Sequence, residues 1–483
     1  MLTPKNNAAF TRSTILNKIA ASFIKDRFAH VDDIVAEVNP CSSCSKHLQF
    51  INEINKARCM AALGFCPEDE TDSSTKSLHD YAMEALSREK PGKSKISVIN
   101  IACAACKRQQ YVVSDQCRCC LAQPCRLNCP KEAIDIVDER AKIDTAKCVN
   151  CGRCHDVCPY GAIIKAVVPC EDVCPVGAIT KDEFGKEHID HEKCISCGKC
   201  LNSCPFDAIV ERSEMIDVMN KIHNSDKKVI AMVAPAIVGQ YNGTVNNMVG
   251  ALKKIGFDEV FEVAVGADIT TRKEAAEFAE RMEEGQKLMT TSCCPAYYYA
   301  AKKHIPEIEP FVSGTRSPMY YTAELVKKEH SDCIAVFLGP CLAKRVEAED
   351  DPNVDYVLTF EEVDAMLNAQ GIKVEECEPQ EFTMISSAQG RRFPLTGGVA
   401  GAVASLLDGK VEIRAENIDG LTRDSIKLLK RYATKGCDCN MLEVMGCEGG
   451  CISGLGCVAL PKKATRAVEA YVAQGQNLKD QKQ

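Results

Sequence analysis

Cysteine is the residue type with the most chemistry to offer in this chain, at 31 of 483 residues. Cys148, Cys151, Cys154 and Cys158-Pro159 follow the pattern C-x2-C-x2-C-x3-C-P, and Cys194, Cys197, Cys200 and Cys204-Pro205 repeat it. This spacing lets one loop wrap three thiolates around a face of a 4Fe-4S cubane, while the cysteine before the proline serves the neighbouring cluster. Zinc sites use paired rather than tripled spacing. Cys117, Cys120, Cys125 and Cys129-Pro130 form a longer-looped version. A phrase of Cys-Pro, two residues and Ala-Ile recurs at Cys129, Cys158, Cys174 and Cys204, ending in Ala133-Ile134, Ala162-Ile163, Ala178-Ile179 and Ala208-Ile209. Four copies make an internal repeat.

The unit at 117–129, paired with the next, resembles a bacterial two-cluster ferredoxin. That resemblance implies crossed ligation: Cys148, Cys151, Cys154 and Cys129 on one cluster, Cys117, Cys120, Cys125 and Cys158 on the other. Cys119 is spare and could trade with Cys117 or Cys120. In the second pair, Cys194, Cys197, Cys200 and Cys174 complete a third cluster, which leaves Cys170 and Cys204 with only each other. Either this fourth site has decayed or two thiolates come from elsewhere, with Cys103-x2-Cys106 as the donor. Three to four 4Fe-4S clusters are expected here. Cys41-x2-Cys44, Cys59 and Cys66 form a further group, read either as a zinc or iron-sulfur knot or as small buried thiols.

Three more cysteine segments lie far apart in sequence but share one character, being rich in Gly, Pro or Ser at the end of an apolar strand. They are Thr291-Ser-Cys-Cys-Pro-Ala296, Gly339-Pro-Cys-Leu-Ala-Lys-Arg-Val-Glu347 and Met445-Gly-Cys-Glu-Gly-Gly-Cys-Ile-Ser-Gly454. Strand ends are where open α/β sheets place their sites, and four thiolates can hold a cubane.

These segments resemble the three signature motifs of the FeFe (iron-only) hydrogenase catalytic domain, over roughly Lys227 to Pro461. The resemblance implies an H-cluster, a 4Fe-4S cubane joined to a two-iron subsite with carbonyl, cyanide and azadithiolate ligands. Cys294, Cys341, Cys447 and Cys451 match the cubane ligands, with Cys451 bridging to the subsite. Lys344 and Pro235, the latter in Ala234-Pro-Ala236, match positions near the cyanides, and Ala234 and Met445 are further candidate cofactor-binding positions. Cys293 matches the thiol that exchanges protons with the azadithiolate amine. Glu274, Ser313, Glu277 and Arg281 match the outward proton path, and Glu274, Glu277 and Arg281 share one helical face. Ala296-Tyr297 replaces a Gly-Trp pair, Gly339 stands where a Met usually packs, and Glu448 replaces a Pro. The chain therefore resembles a divergent subgroup.

The elements that must position these residues follow from periodicity. Residues 1–100 read as mostly helical, 101–215 as ferredoxin-like α+β, 216–472 as an α/β domain of two lobes with largely parallel sheets, and 473–483 as a frayed polar tail. Strands are expected at Val229–Val233, Val260–Val265, Ile334–Leu338 and Tyr356–Thr359. Helices are expected at Val245–Ile255, Ala267–Glu284, Pro318–Lys328 and Glu361–Ala369.

No apolar run approaches the roughly 20 residues of a spanning helix, and Met1–Lys18 lacks the features of a secretory signal. The expectation is a soluble, cytoplasmic, anaerobic protein. A net charge of -8 argues against nucleic-acid binding. Reversible oxidation of dihydrogen follows from the resemblance, with H-cluster maturation proteins as partners. Ferredoxin is the expected electron carrier, since no G-x-G-x-x-G follows a strand. The alternative is a non-catalytic hydrogen sensor or an iron-sulfur assembly or electron-transfer protein.

Overall fold

The computed structural model describes residues 7–38, 45–70, 75–92, 94–106, 110–407, 409 and 411–481; Cys41 and Cys44 lie outside them. Val229–Val233 and Ile334–Leu338 are runs of five apolar residues without a polar face, as expected of strands covered on both sides, and every residue in both is buried. They form the centre of a four-stranded parallel sheet, flanked by Glu259–Glu262 and Tyr356–Leu358. Val233 pairs with Leu338, so the chain leaves the sheet twice, side by side, as Ala234-Pro235 and as Gly339-Pro340-Cys341.

A second parallel sheet orders Met289–Thr290, Met441–Met445 and Ala415–Asp419. Thr290 pairs with Leu442, so the loops carrying Cys293-Cys294 and Gly446-Cys447 leave one edge together. The domain is thus α/β, with two parallel sheets aiming their carboxyl ends at common ground.

The N-terminal helix Asn7–Asp26 buries Ile15, Leu16, Ile19, Ala20 and Phe23, one amphipathic stripe. That stripe joins the core of the four-stranded sheet, and Arg12 pairs with Glu361 at 3.0 Å. Cys59 is buried in this same core, and the Cys66 thiol donates to Ser94 O at 3.1 Å. Burial pushes both thiols up to about 12. Of the group of four, these two are core thiols. Among the described residues no helix is long and apolar enough to cross a membrane.

The cysteine-rich region is two copies of one unit, the first nested inside the second. In the inner copy, Gln110–Val113 pairs antiparallel with Ile163–Ala166, enclosing the hairpin Ile134–Val137/Arg140–Ile143. In the outer copy, Ile96–Val98 pairs antiparallel with Ile209–Glu211, enclosing the hairpin Ile179–Lys181/Glu187–Ile189. Small contacts repeat as well. Ser114 N–H donates to Ala162 O and Ile99 N–H to Ala208 O, each at 2.7 Å; Asp144 N–H donates to Ala133 O and Asp190 N–H to Ala178 O, each at 2.8 Å.

Three expectations are corrected. The strand expected to run to Val265 ends at Glu262, and a helix begins at Ala264. Gly266 lets that helix close on the next, since a Cβ there would stand 2.1 Å from Pro318 O. The iron-sulfur region begins before residue 101, because Ile96–Val98 is its first strand. Residues 473–481 of the expected tail are docked rather than frayed: Leu478 is fully buried, its N–H donates to Gln389 Oε1 at 2.9 Å, and Ala388 N–H donates to Gln476 O at 2.8 Å.

A candidate metal centre at the strand ends

The loops from both sheets close around one cavity. Cys293, Cys294, Cys341, Cys447 and Cys451 line it, with Ala234, Pro235, Lys344 and Met445. Every cofactor position expected from the sequence therefore faces one space. Small residues make the approach possible: a Cβ on Gly446 would lie 3.3 Å from Cys294 Sγ and 3.1 Å from Ala296 Cβ. The Gly446 amide donates to Cys294 Sγ at 3.3 Å.

The thiols act on one another. Burial first, and then the neighbouring thiols, push Cys341 up to about 11 and raise Cys447 and Cys451 further. A set of buried thiolates repels itself and is stable only around a cationic core, so the donor set fits an iron-sulfur cubane. Ligands of a cubane stand around a body rather than a point, and among the described residues no three His, Cys, Asp or Glu side chains converge on a single-ion site.

Lys344 is buried at the cavity wall. Its Nζ donates to Glu347 Oε2 at 2.6 Å and to Ser317 Oγ at 3.0 Å. Burial works against its charge, but Glu347 and then the Cys341 and Cys293 thiols hold it above the ordinary lysine value. An ammonium aimed at a cavity can hydrogen-bond anionic ligands there.

From Cys293 a line of polar groups runs outward. The thiol packs against Ala267, Phe393 and Met445 and is raised by burial, then by Glu274. Glu274 is fully buried with neither oxygen hydrogen-bonded. Burial and then the charge of Glu277 push it up to about 8, weakly offset by the Ser292 amide and the Ser313 hydroxyl. Ser313 Oγ donates to Glu277 Oε2 at 2.7 Å, and Arg281 meets Glu277 Oε1 at 2.6 Å. Burial opposes the Glu277 charge, yet the Gly314 amide, the Ser313 and Thr315 hydroxyls and Arg281 together hold it below the carboxylate range. Glu277 and Arg281 reach solvent, at 20% and 18% side-chain exposure.

Some lining residues escaped the sequence reading. Met319, Phe393 and Pro394 face the cavity from segments without a cysteine signal, and Phe337 does so from the strand that leads to Cys341. Phe337 explains one departure: a Cβ on Gly339 would stand 2.4 Å from its ring, so the aromatic side chain fills the space beside Gly339. Tyr297, in the altered pair, is buried with its hydroxyl 2.7 Å from Thr290 Oγ1. Cys197, expected only in an accessory set, also lines the cavity.

The accessory thiols gather in sets. One pocket is lined by Cys129, Cys148, Cys151 and Cys154, another by Cys117, Cys120, Cys125 and Cys158, with Cys119 also on the second wall. Cys174, Cys194, Cys197 and Cys200 influence one another in a third. Cys170 and Cys204 pack together in the core of the outer unit.

Residues 227–455 match the C-terminal domain of the iron-only hydrogenase large subunit, 141–164 a 4Fe-4S binding domain and 165–215 the LdpA Fe-S cluster-binding domain. Iron hydrogenase 1 of Clostridium pasteurianum is 28% identical over 386 residues, covering 68% of this chain and 67% of that protein. A probable cytosolic Fe-S cluster assembly factor of Drosophila virilis is 25% identical over 263 residues, covering 43% and 55%. A solved FeFe hydrogenase from Chlamydomonas reinhardtii aligns at 21% identity and TM-score 0.45, covering 53% of this chain and 88% of that one. Residues 227–455 thus match the C-terminal domain of iron-only hydrogenases, the preceding segments match iron-sulfur binding domains, and over these regions the chain is similar to FeFe hydrogenases.

Proposed function

We propose that this protein catalyses the reversible oxidation of dihydrogen in the cytoplasm, exchanging electrons with a ferredoxin. When bound, the H-cluster supplies the redox chemistry of making and breaking dihydrogen. Cys294, Cys341, Cys447 and Cys451 would hold this group, whose two-iron part maturation proteins would install. Lys344 places a cation against the anionic ligands, while Ala234, Pro235, Met445 and Phe393 keep the pocket apolar.

Cys293 takes up and returns a proton at its Sγ, Glu274 passes it at a carboxyl already poised to hold one, and Ser313 hands it to Glu277 and Arg281 at the surface. Electrons would pass to the accessory sets by way of the wall where Cys197 joins the cavity.

What supports this reading is the run of polar groups from Cys293 by the buried, unpaired Glu274 and Ser313 to the partly exposed Glu277–Arg281 pair. A protein that only assembles clusters or relays electrons has no use for it. The test is hydrogen evolution with reduced viologen after the two-iron subsite is installed. Activity should appear with carbonyl and cyanide infrared bands. Neither appearing would overturn the proposal and favour an assembly role like that of the Drosophila virilis relative.

A further inference from the structure

The nested topology lets the outer unit be read against the inner one position by position. The inner unit has all eight thiols of two cubane sets, four before its hairpin and four after. Within the outer unit, the four after are Cys194, Cys197, Cys200 and Cys204. Cys170 and Cys174 precede its hairpin at the same four-residue separation as Cys125 and Cys129. The two positions matching Cys117 and Cys120 fall on Cys103 and Cys106, just after the strand Ile96–Val98, as Cys117 and Cys120 follow Gln110–Val113. The whole inner unit lies between Cys106 and Cys170.

The backbone repeats the match. In the first C-x2-C pair of each of four sets the residue before the second cysteine takes a left-handed conformation: Cys119 at φ 48°, Asn150 at 56°, Ser196 at 52° and Ala105 at 48°. Alanine, unlike glycine, disfavours that conformation, so the 103–106 loop adopts the cluster-wrapping shape against its own preference. The sulfur bonds repeat too. Cys117 Sγ accepts from Ala141 N–H at 3.5 Å, and Cys103 Sγ accepts from Glu187 N–H at 3.4 Å, each donor lying on the second strand of its hairpin. Cys204 Sγ accepts from Ala208 N–H at 3.5 Å, as Cys158 Sγ does from Ala162 N–H at 3.3 Å.

Cys103, Cys106, Cys170 and Cys204 pack into one cluster of side chains. We infer that these four cysteines hold a fourth accessory 4Fe-4S cluster, so that the outer unit is a complete two-cluster module. The inference rests on the iron-sulfur reading of the inner unit and is independent of hydrogen turnover. Cys200 of the neighbouring set lies in the same cluster of side chains.

The test is iron content and reduced-state spin counting on full-length protein reconstituted anaerobically without the two-iron subsite. Four accessory clusters and one cubane in the C-terminal domain should give about twenty irons. Cys103→Ser/Cys106→Ser should lose about four irons, and Cys119→Ser none. Cys204→Ser, which leaves the 103–106 loop intact, should by itself degrade one cluster and give a 3Fe-4S signal in oxidised protein. Wild-type protein with only three accessory clusters would overturn the inference. So would a Cys103→Ser/Cys106→Ser variant with undiminished iron beside a Cys148→Ser control that has lost a cluster. If Cys148→Ser also lost nothing, the iron-sulfur reading itself would fail.

Discussion

Cys197 of the outer unit and Cys447 of the C-terminal domain face the same cavity, and the charge of one acts on the other. Among the described residues, no other accessory cysteine lines that wall. Leu455 locks the junction, since a Cβ on Gly198 would stand 2.6 Å from its Cδ2. In the proposed electron relay, this junction is where the accessory sets meet the cavity.

This junction makes a separable prediction. Cys197→Ser should leave hydrogen–deuterium exchange at the pocket near wild type, because the proton line is untouched. Viologen-driven hydrogen evolution should fall by about tenfold or more, equivalent to at least ~1.4 kcal/mol on the limiting step. Equal loss of both activities would place the defect in the pocket instead of the relay.

Adjacent cysteines should behave oppositely. Cys294→Ala removes a thiolate from a four-ligand set and should abolish the H-cluster infrared bands. Cys293→Ala should assemble the cofactor with normal bands yet lose roughly 10²–10⁴ in turnover, because a methyl group cannot carry a proton. Cys293→Asp should recover part of that loss. Wild-type turnover in Cys293→Ala with intact cofactor would remove the path through Glu274 and Ser313.

Glu274 gives a pH signature with a definite sign. Its folded value of about 8 lies above its ordinary 4.5, so the folded state holds a proton that the unfolded chain releases. Stability from this group is complete below about 4.5 and declines by up to ~1.4 kcal/mol per pH unit until about 8, then levels. Glu274→Gln cannot ionise and should lack this decline. Melting temperatures of both proteins, measured anaerobically at matched pH from about 5 to 9, should converge at the acid end and separate in favour of Gln on the alkaline side. Parallel curves would show that Glu274 does not retain the proton.

Much of this was legible in the cysteine spacing, because loops that wrap thiols around a cluster need fixed short intervals. The strands Val229–Val233 and Ile334–Leu338 were legible as well, since a fully covered strand has no polar face. The nesting was not. Ile96–Val98 and Ile209–Glu211 are three residues each, and nothing in so short a strand names a partner across the inserted unit. Phe393 and Met319 reach the cavity through tertiary packing, far from any cysteine. Leu478 anchors the tail as a single apolar residue among polar ones, too little for any periodicity to reveal.

The pairing of Gln110–Val113 with Ile163–Ala166 brings the inner unit's entry and exit together in one ribbon. A segment closed in that way is a plug-in: it can be lost, duplicated or exchanged with little disturbance to its host. Natural variation in the length of this protein's electron wire would then arise by trading whole modules at the 106–170 socket, while the thiols nearest the cavity stay fixed.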